Sequence, residues 1–280
     1  MLLMKLFEVD GDAVVDQLKN VMENMDTMIY QVYDYLSFSP DRVFGFSDMT
    51  ESLIQISQTI ALVLVVAYWL IGFINEIADM DWRNLSIWWY FRKMIQLILA
   101  KALIDLAPDI CSSIMSFINW AMETYWSNST FDNVLNQWDY KLVKELFTDV
   151  SYTEYIFKRI EITILCLVMK CCIYYLKFVA FSRLIQIAIM QIISPISLSS
   201  IVNGRQSGAF NFIKEYVAVV GSAIIILIGF KVYQGYLSSI FFDSNNVFGL
   251  NIVWEMLLST VVLATTIGAS QKIARMFLGR

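Results

Sequence analysis

The chain has 280 residues, of which 58% are apolar and 15% aromatic, while only 16% are charged. Soluble domains carry roughly 45–50% apolar and about 25% charged residues, so one aqueous core cannot hide this much apolar surface; a soluble globular fold is excluded in favour of a membrane protein. The formal charge of −5 is lopsided: residues 1–51 hold ten acids against Lys5, Lys19 and Arg42, whereas the last nine residues hold Lys272, Arg275 and Arg280 and no acid.

The opening run MLLMKLFEVDGD has no long apolar core before its acids begin. It does not read as a cleavable signal peptide, so insertion is expected to use an internal helix. Residues 12–36 predict an amphipathic helix outside the membrane. Val14, Val15, Leu18, Val21, Met22, Met25, Met28, Ile29, Val32 and Leu36 recur at helical spacing, and Asp16, Lys19, Glu23, Asp26 and Asp34 fill the other faces. Its acids argue against an anionic lipid surface and for a protein contact. Ser39-Pro40-Asp41 and Gly45 break the pattern.

Five membrane crossings are then expected. Residues 52–75 carry no charge and are long enough to span, with Thr50 or Ser52 available as a cap and Tyr68 and Trp69 near the far end. The second runs over about 94–118, behind Trp88, Trp89, Tyr90, Arg92 and Lys93, with Pro108 as a kink or break. A polar connection occupies 119–155. The third covers about 160–181, the fourth 216–242 and the fifth 253–270. Residues 184–204 are uncharged before Arg205 but contain Ser194-Pro195 and further serines, and are read as re-entrant or packed at the inner face. The expected architecture is all-α and polytopic, with an extracytoplasmic segment at 1–51 and a transmembrane domain at 52–280.

The positive-inside rule places the basic C-terminus in the cytoplasm, along with Arg83, Arg92, Lys93, Arg205 and Lys214. The acidic N-terminus and the 119–155 loop then fall outside, against the sign of Lys141 and Lys144 in that loop and of Lys158 and Arg159 between it and the third crossing.

Charges inside spans are costly and face protein or water. Lys101, Asp105 and Asp109 share one face of the second crossing, continued by Ser112 and Ser116. Lys170, Tyr174 and Lys177 form a stripe on the third, and Lys231, Gln234 and Ser238 on the fourth. Each stripe suits either an interhelical salt bridge within one subunit, or a water-filled conduit or subunit contact. Thr260, Ala264 and Gly268 form a small-residue stripe suited to close helix packing. The four cysteines lie in apolar segments as small buried residues, and with no histidine and no CxxC pair no metal or cofactor site is expected. GxxxxGK[ST], GxSxG, HExxH and GxGxxG are all missing, so no enzyme activity is expected.

The run ISPISLSSIVNGRQSGAFNFIKEYVAVVGSAIIILI at 193–228 resembles the TrbL-like (VirB-six) polytopic subunit of type IV secretion and conjugative transfer systems. The matching positions are Ser194-Pro195 and Phe212-Ile213-Lys214, with Arg92-Lys93 leading to Lys101-Ala102 and Asp105. The similarity covers residues 50–280. It implies a self-associating channel or scaffold subunit in the bacterial cytoplasmic (inner) membrane. The implied partners are membrane lipid, other copies, secretion-machine subunits including ATPases, and a transferred DNA–protein substrate, without stable sequence-specific nucleic-acid binding. The alternative is a small-solute transporter or permease subunit, for which inverted repeats are expected; no internal repeat is evident.

Overall fold

The computed structural model describes residues 11–37, 47–79, 86–127, 151–203, 206–242 and 250–278. Among them every element is helical. The helices are α1 (Gly11–Ser37), α2 (Ser47–Asp79), α3 (Ile87–Ser127), α4 (Tyr152–Ser199), α5 (Gln206–Phe242) and α6 (Leu250–Phe277), with a 3₁₀ turn over Ser200–Asn203. The break at Ser39-Pro40-Asp41 and Gly45, Arg83, Lys141, Lys144, Gly204, Arg205 and Arg280 lie outside the described residues.

Local chemistry sets the helix ends. The Trp88 amide donates to the Ser86 hydroxyl at 3.2 Å, so Ser86 caps α3. Ser151-Tyr152-Thr153-Glu154 is a capping-box pattern, and the Tyr155 amide closes the first turn of α4 on the Ser151 carbonyl at 2.9 Å. There the basic side chains are engaged: Lys158 pairs with Glu154 at 3.0 Å, and Arg159 donates to the Tyr155 hydroxyl at 3.2 Å.

Four helices are long and apolar enough to cross a membrane, over Thr50–Ala78, Thr153–Ser199, Gly208–Ser239 and Val253–Phe277. They correspond to four of the five expected crossings. The remaining one, the second expected crossing, falls on α3, a 41-residue helix that runs through Pro108 without a break. It carries Lys101, Asp105 and Asp109 in its middle, and it is not among the four.

Residues 184–199 are not a separate segment. They are the last turns of α4, whose 48 residues rise about 72 Å, more than twice the roughly 30 Å hydrocarbon core. Pro195 lies inside this helix. It has no N–H for the Gln191 carbonyl, and the Ser194 hydroxyl donates to that carbonyl at 2.7 Å instead. Ser199 and Ser200 cap the Ile196 and Ser197 carbonyls at 2.6 and 2.9 Å, so the buried helix end leaves few acceptors unsatisfied.

Contacts group the chain into two compact units. The first comprises 1–36, 124–181 and 224–270. In it the apolar stripe of α1 is buried from Val14 to Leu36. The Trp126 ring stacks on Tyr33 at 4.2 Å, and the Tyr35 ring meets Phe181 edge-on at 6.3 Å. The stripe expected to find a membrane surface or partner is therefore covered by the chain itself. Each of its larger apolar side chains contributes about 1.5–3 kcal/mol on leaving water, which outweighs any gain from lying half-exposed on a surface.

The second unit comprises 37–123, 182–223 and 271–280. Here α2 and α3 form an antiparallel pair around Ala61, Val65, Ala100 and Ile104. At one end the Glu76 carboxylate pairs with Lys93 and accepts the Trp89 indole N–H at 3.0 Å. The Trp69 indole donates to the Lys93 carbonyl at 3.0 Å, and Phe73 stacks on Trp69. Toward the other end Gln58 reaches the Asp105 carbonyl at 3.5 Å.

Candidate functional site

Lys101, Asp105 and Asp109 share one face of α3 because they recur every four residues, and that face is exposed together with Ser112 and Ser116. The opposite face carries Ala100, Ile104, Ala107, Cys111, Met115, Ile118 and Met122, all buried. Among the described residues no ion pair includes Lys101, Asp105 or Asp109.

The depth of this stripe follows from the α2–α3 register. The charge-free stretch 52–75 is centred near Val63–Leu64, and the residues packed across from Ala61 and Val65 are Ala100 and Ile104. Lys101 and Asp105 thus stand level with the middle of the α2 crossing, pointing away from their own subunit. Their neighbours on the outer surface, Ile98, Leu99 and Leu106, are apolar and exposed. An outward charged stripe at this depth is costly in lipid, and it needs a polar neighbour or water.

The Ser194-Pro195 segment sits inside the same unit. Ile196 packs on the Ala61–Ile104 cluster, while Leu198 joins Ala107 and Ala209, with Ile201 and Ile213 against them. Ser194 is fully buried and its hydroxyl meets the Cys111 thiol. The turn from α4 to α5 therefore lies beside the middle of α2 rather than beyond its end, and irregular backbone at that depth is tolerated because protein surrounds it. Gly208 permits the approach: a Cβ there would stand 2.7 Å from the Ser200 hydroxyl oxygen. Phe212 stacks on Tyr216 with centroids 6.4 Å apart, Lys214 lies over the Phe210 ring at 4.9 Å, and Glu215 pairs with Arg275.

These contacts also bear on topology. Lys214 and Arg275 stand near the Cys111 level of α3, whereas Arg92 and Lys93 begin that helix. The rise between Lys93 and Cys111 is about 27 Å, close to a bilayer core. Counting loop charges put both basic groups on one side, while the packing puts them at opposite ends of the α2 crossing.

Lys170 and Lys177 belong to the first unit, not to the one that holds the α3 stripe. They line a small cavity of about 110 Å³ with Ile173, Tyr174 and Asn24 of α1. A cavity of that size within one chain does not itself pass a nucleic-acid strand. Lys231 is half-buried in α5. Thr260 and Ala264 are buried; the Thr260 hydroxyl donates to the Met256 carbonyl at 2.7 Å and accepts from Tyr233 at 3.1 Å. A Cβ on Gly268 would run into the Tyr175 hydroxyl. The stripe at 260, 264 and 268 is thus packed against α5 and α4.

Sequence reasoning passed over Gln58, Asn24 and Tyr216. A tyrosine hydroxyl in an apolar span was the available signal, because such a group must find an acceptor. No family model matches the chain, and neither a curated protein nor a solved structure matches it.

Proposed function

We propose that this protein is a membrane scaffold or channel subunit of a conjugative type IV secretion apparatus, and that it works as a self-associated ring or cluster. The observation that carries this reading is the outward stripe of Lys101, Asp105 and Asp109 at the mid-depth of the α2 crossing. Lipid is a poor neighbour for it, and a second copy presenting the same stripe supplies opposite charges. The stripe sums to one base against two acids, which suits pairing between copies better than attraction for a polyanion. Its contribution to the substrate path is therefore structural, framing a passage for a DNA–protein substrate rather than binding the nucleic acid.

The secretion assignment is supported by the resemblance around Ser194-Pro195 and Phe212-Ile213-Lys214, and by the multi-pass helical architecture. The membrane is the cytoplasmic membrane of a bacterium, with the acidic N-terminal segment outside. Secretion ATPases and other subunits of the apparatus are the partners, and no catalysis is proposed.

The test uses single cysteines at Lys101, Asp105 and Asp109 in the full chain, in membranes of a transfer-competent host. Disulfide cross-linking between copies at these positions is expected, with none at the buried Ala100. Lys101→Asp should reduce both assembly and transfer, and Lys101→Asp with Asp105→Lys should restore them. Wild-type assembly and transfer after replacing all three charges with leucine would overturn the reading.

A further inference from the structure

Two ammonium groups in the first unit have no ion-pair partner among the described residues. Lys170 and Lys177 stand two turns apart on α4, about 10 Å along its axis. Both are half-buried, and both line the 110 Å³ cavity that Asn24 of α1 and Tyr174 also line. Glu23, next to Asn24 in the chain, is exposed and lies 3.9 Å from Lys19. The Asn24 amide hydrogens go to the Asn20 carbonyl and side-chain oxygen at 2.7 and 2.6 Å. The groups left to donate into the cavity are therefore the two ammoniums and the Tyr174 hydroxyl.

Like charges brought together in a partly desolvated space repel each other and lose hydration, and an anion between them reverses both effects. Each lysine has a four-carbon arm and three rotatable donors, so both can reach one ligand from two turns apart. The cavity admits one tetrahedral oxyanion and is too small for a nucleotide. Fixed acids are lacking, so it does not suit a metal cation.

We propose that the Lys170–Lys177 cavity binds a single phosphate group, supplied either by an anionic phospholipid headgroup or by free phosphate. Bound there, the phosphate pairs with both ammoniums and so stabilises the folded first unit. This site is independent of the α3 stripe, and its test does not involve assembly or transfer.

The purified full chain is studied in nanodiscs, and the readout is its thermal unfolding midpoint. One arm compares phosphatidylcholine discs with discs containing phosphatidylglycerol; the other adds inorganic phosphate, against chloride at equal ionic strength, to the phosphatidylcholine discs. A rise of a few degrees in the first arm alone identifies a lipid headgroup, and a rise in the second identifies free phosphate. In either case Lys170→Gln and Lys177→Gln should each abolish the rise, while Lys272→Gln, a surface base outside this unit, should leave it intact. No rise in either arm, or a rise that survives Lys170→Gln with Lys177→Gln, overturns the proposal. Should a variant fail to fold, loss or retention of the rise in the wild-type chain already decides whether an anion is bound. Acetylating accessible lysines with and without phosphate, read by peptide mass, then places it: protection at Lys170 and Lys177 supports the site, and protection confined to other lysines overturns it.

Discussion

The Tyr216 hydroxyl donates to the backbone carbonyl of Cys111 at 3.1 Å, tying α5 to α3 three residues beyond Pro108. Tyr216 is completely buried, so its hydroxyl has no water to fall back on. A side-chain donor spent on a carbonyl in a long helix binds that helix to its neighbour without altering its course. Tyr216→Phe keeps the ring and removes the interhelical bond, leaving the Cys111 carbonyl with its intrahelical partner alone, so a loss of about 1 kcal/mol is expected. Reversible unfolding in mixed micelles measures it, and an unchanged midpoint would mean that the bond contributes nothing net.

The hairpin between α4 and α5 gives a second prediction. Gly208→Ala places a methyl against the Ser200 hydroxyl, which is already committed to the Ser197 carbonyl. Overpacking of this kind costs about 1–3 kcal/mol. Ser200→Ala made alongside it removes the obstructing atom, so the double variant should be more stable than Gly208→Ala alone. Simple additivity of the two losses in a double-mutant cycle would show that the two side chains do not meet.

Detaching α1 should have consequences inside the chain. Leu18 is 1% exposed and Met25 is 0% exposed. Leu18→Asp with Met25→Asp sets two carboxylates into that stripe, with an expected cost of at least about 4 kcal/mol. The measurement is limited proteolysis of the purified subunit, in which residues 11–37 should become the first cleaved segment. Wild-type protease resistance, accompanied by loss of a partner, would mean that the stripe serves an outside surface instead.

Topology is open to direct labelling. Arg92→Cys and Lys272→Cys, both at exposed positions, should react with an impermeant thiol reagent from opposite sides of the membrane. Labelling of both from one side would favour the charge count over the register of α2, α3 and α6 in the second unit.

Much of this protein is legible one helix at a time. Hydropathy and helical spacing identify α1 as amphipathic and α2 as a charge-free crossing. They also identify the stripe of Lys101, Asp105 and Asp109 as one face, because period and composition are local properties of the chain. What each face meets is not local. Lys101 and Lys170 look alike in sequence, each a base within a largely apolar stretch of helix. Packing leaves the first on the outside of its unit, level with the middle of α2, and places the second in a cavity beneath α1. Pro195 reads as a breaker, yet α4 continues through it because Ser194 takes over the abandoned carbonyl. Charge counting put the ends of the hairpin on one side because it sees loops singly. The register of Ala61 with Ala100, and of Ala209 with Ala107, is fixed by side chains far apart in sequence, so depth and covering were decided only by the tertiary structure.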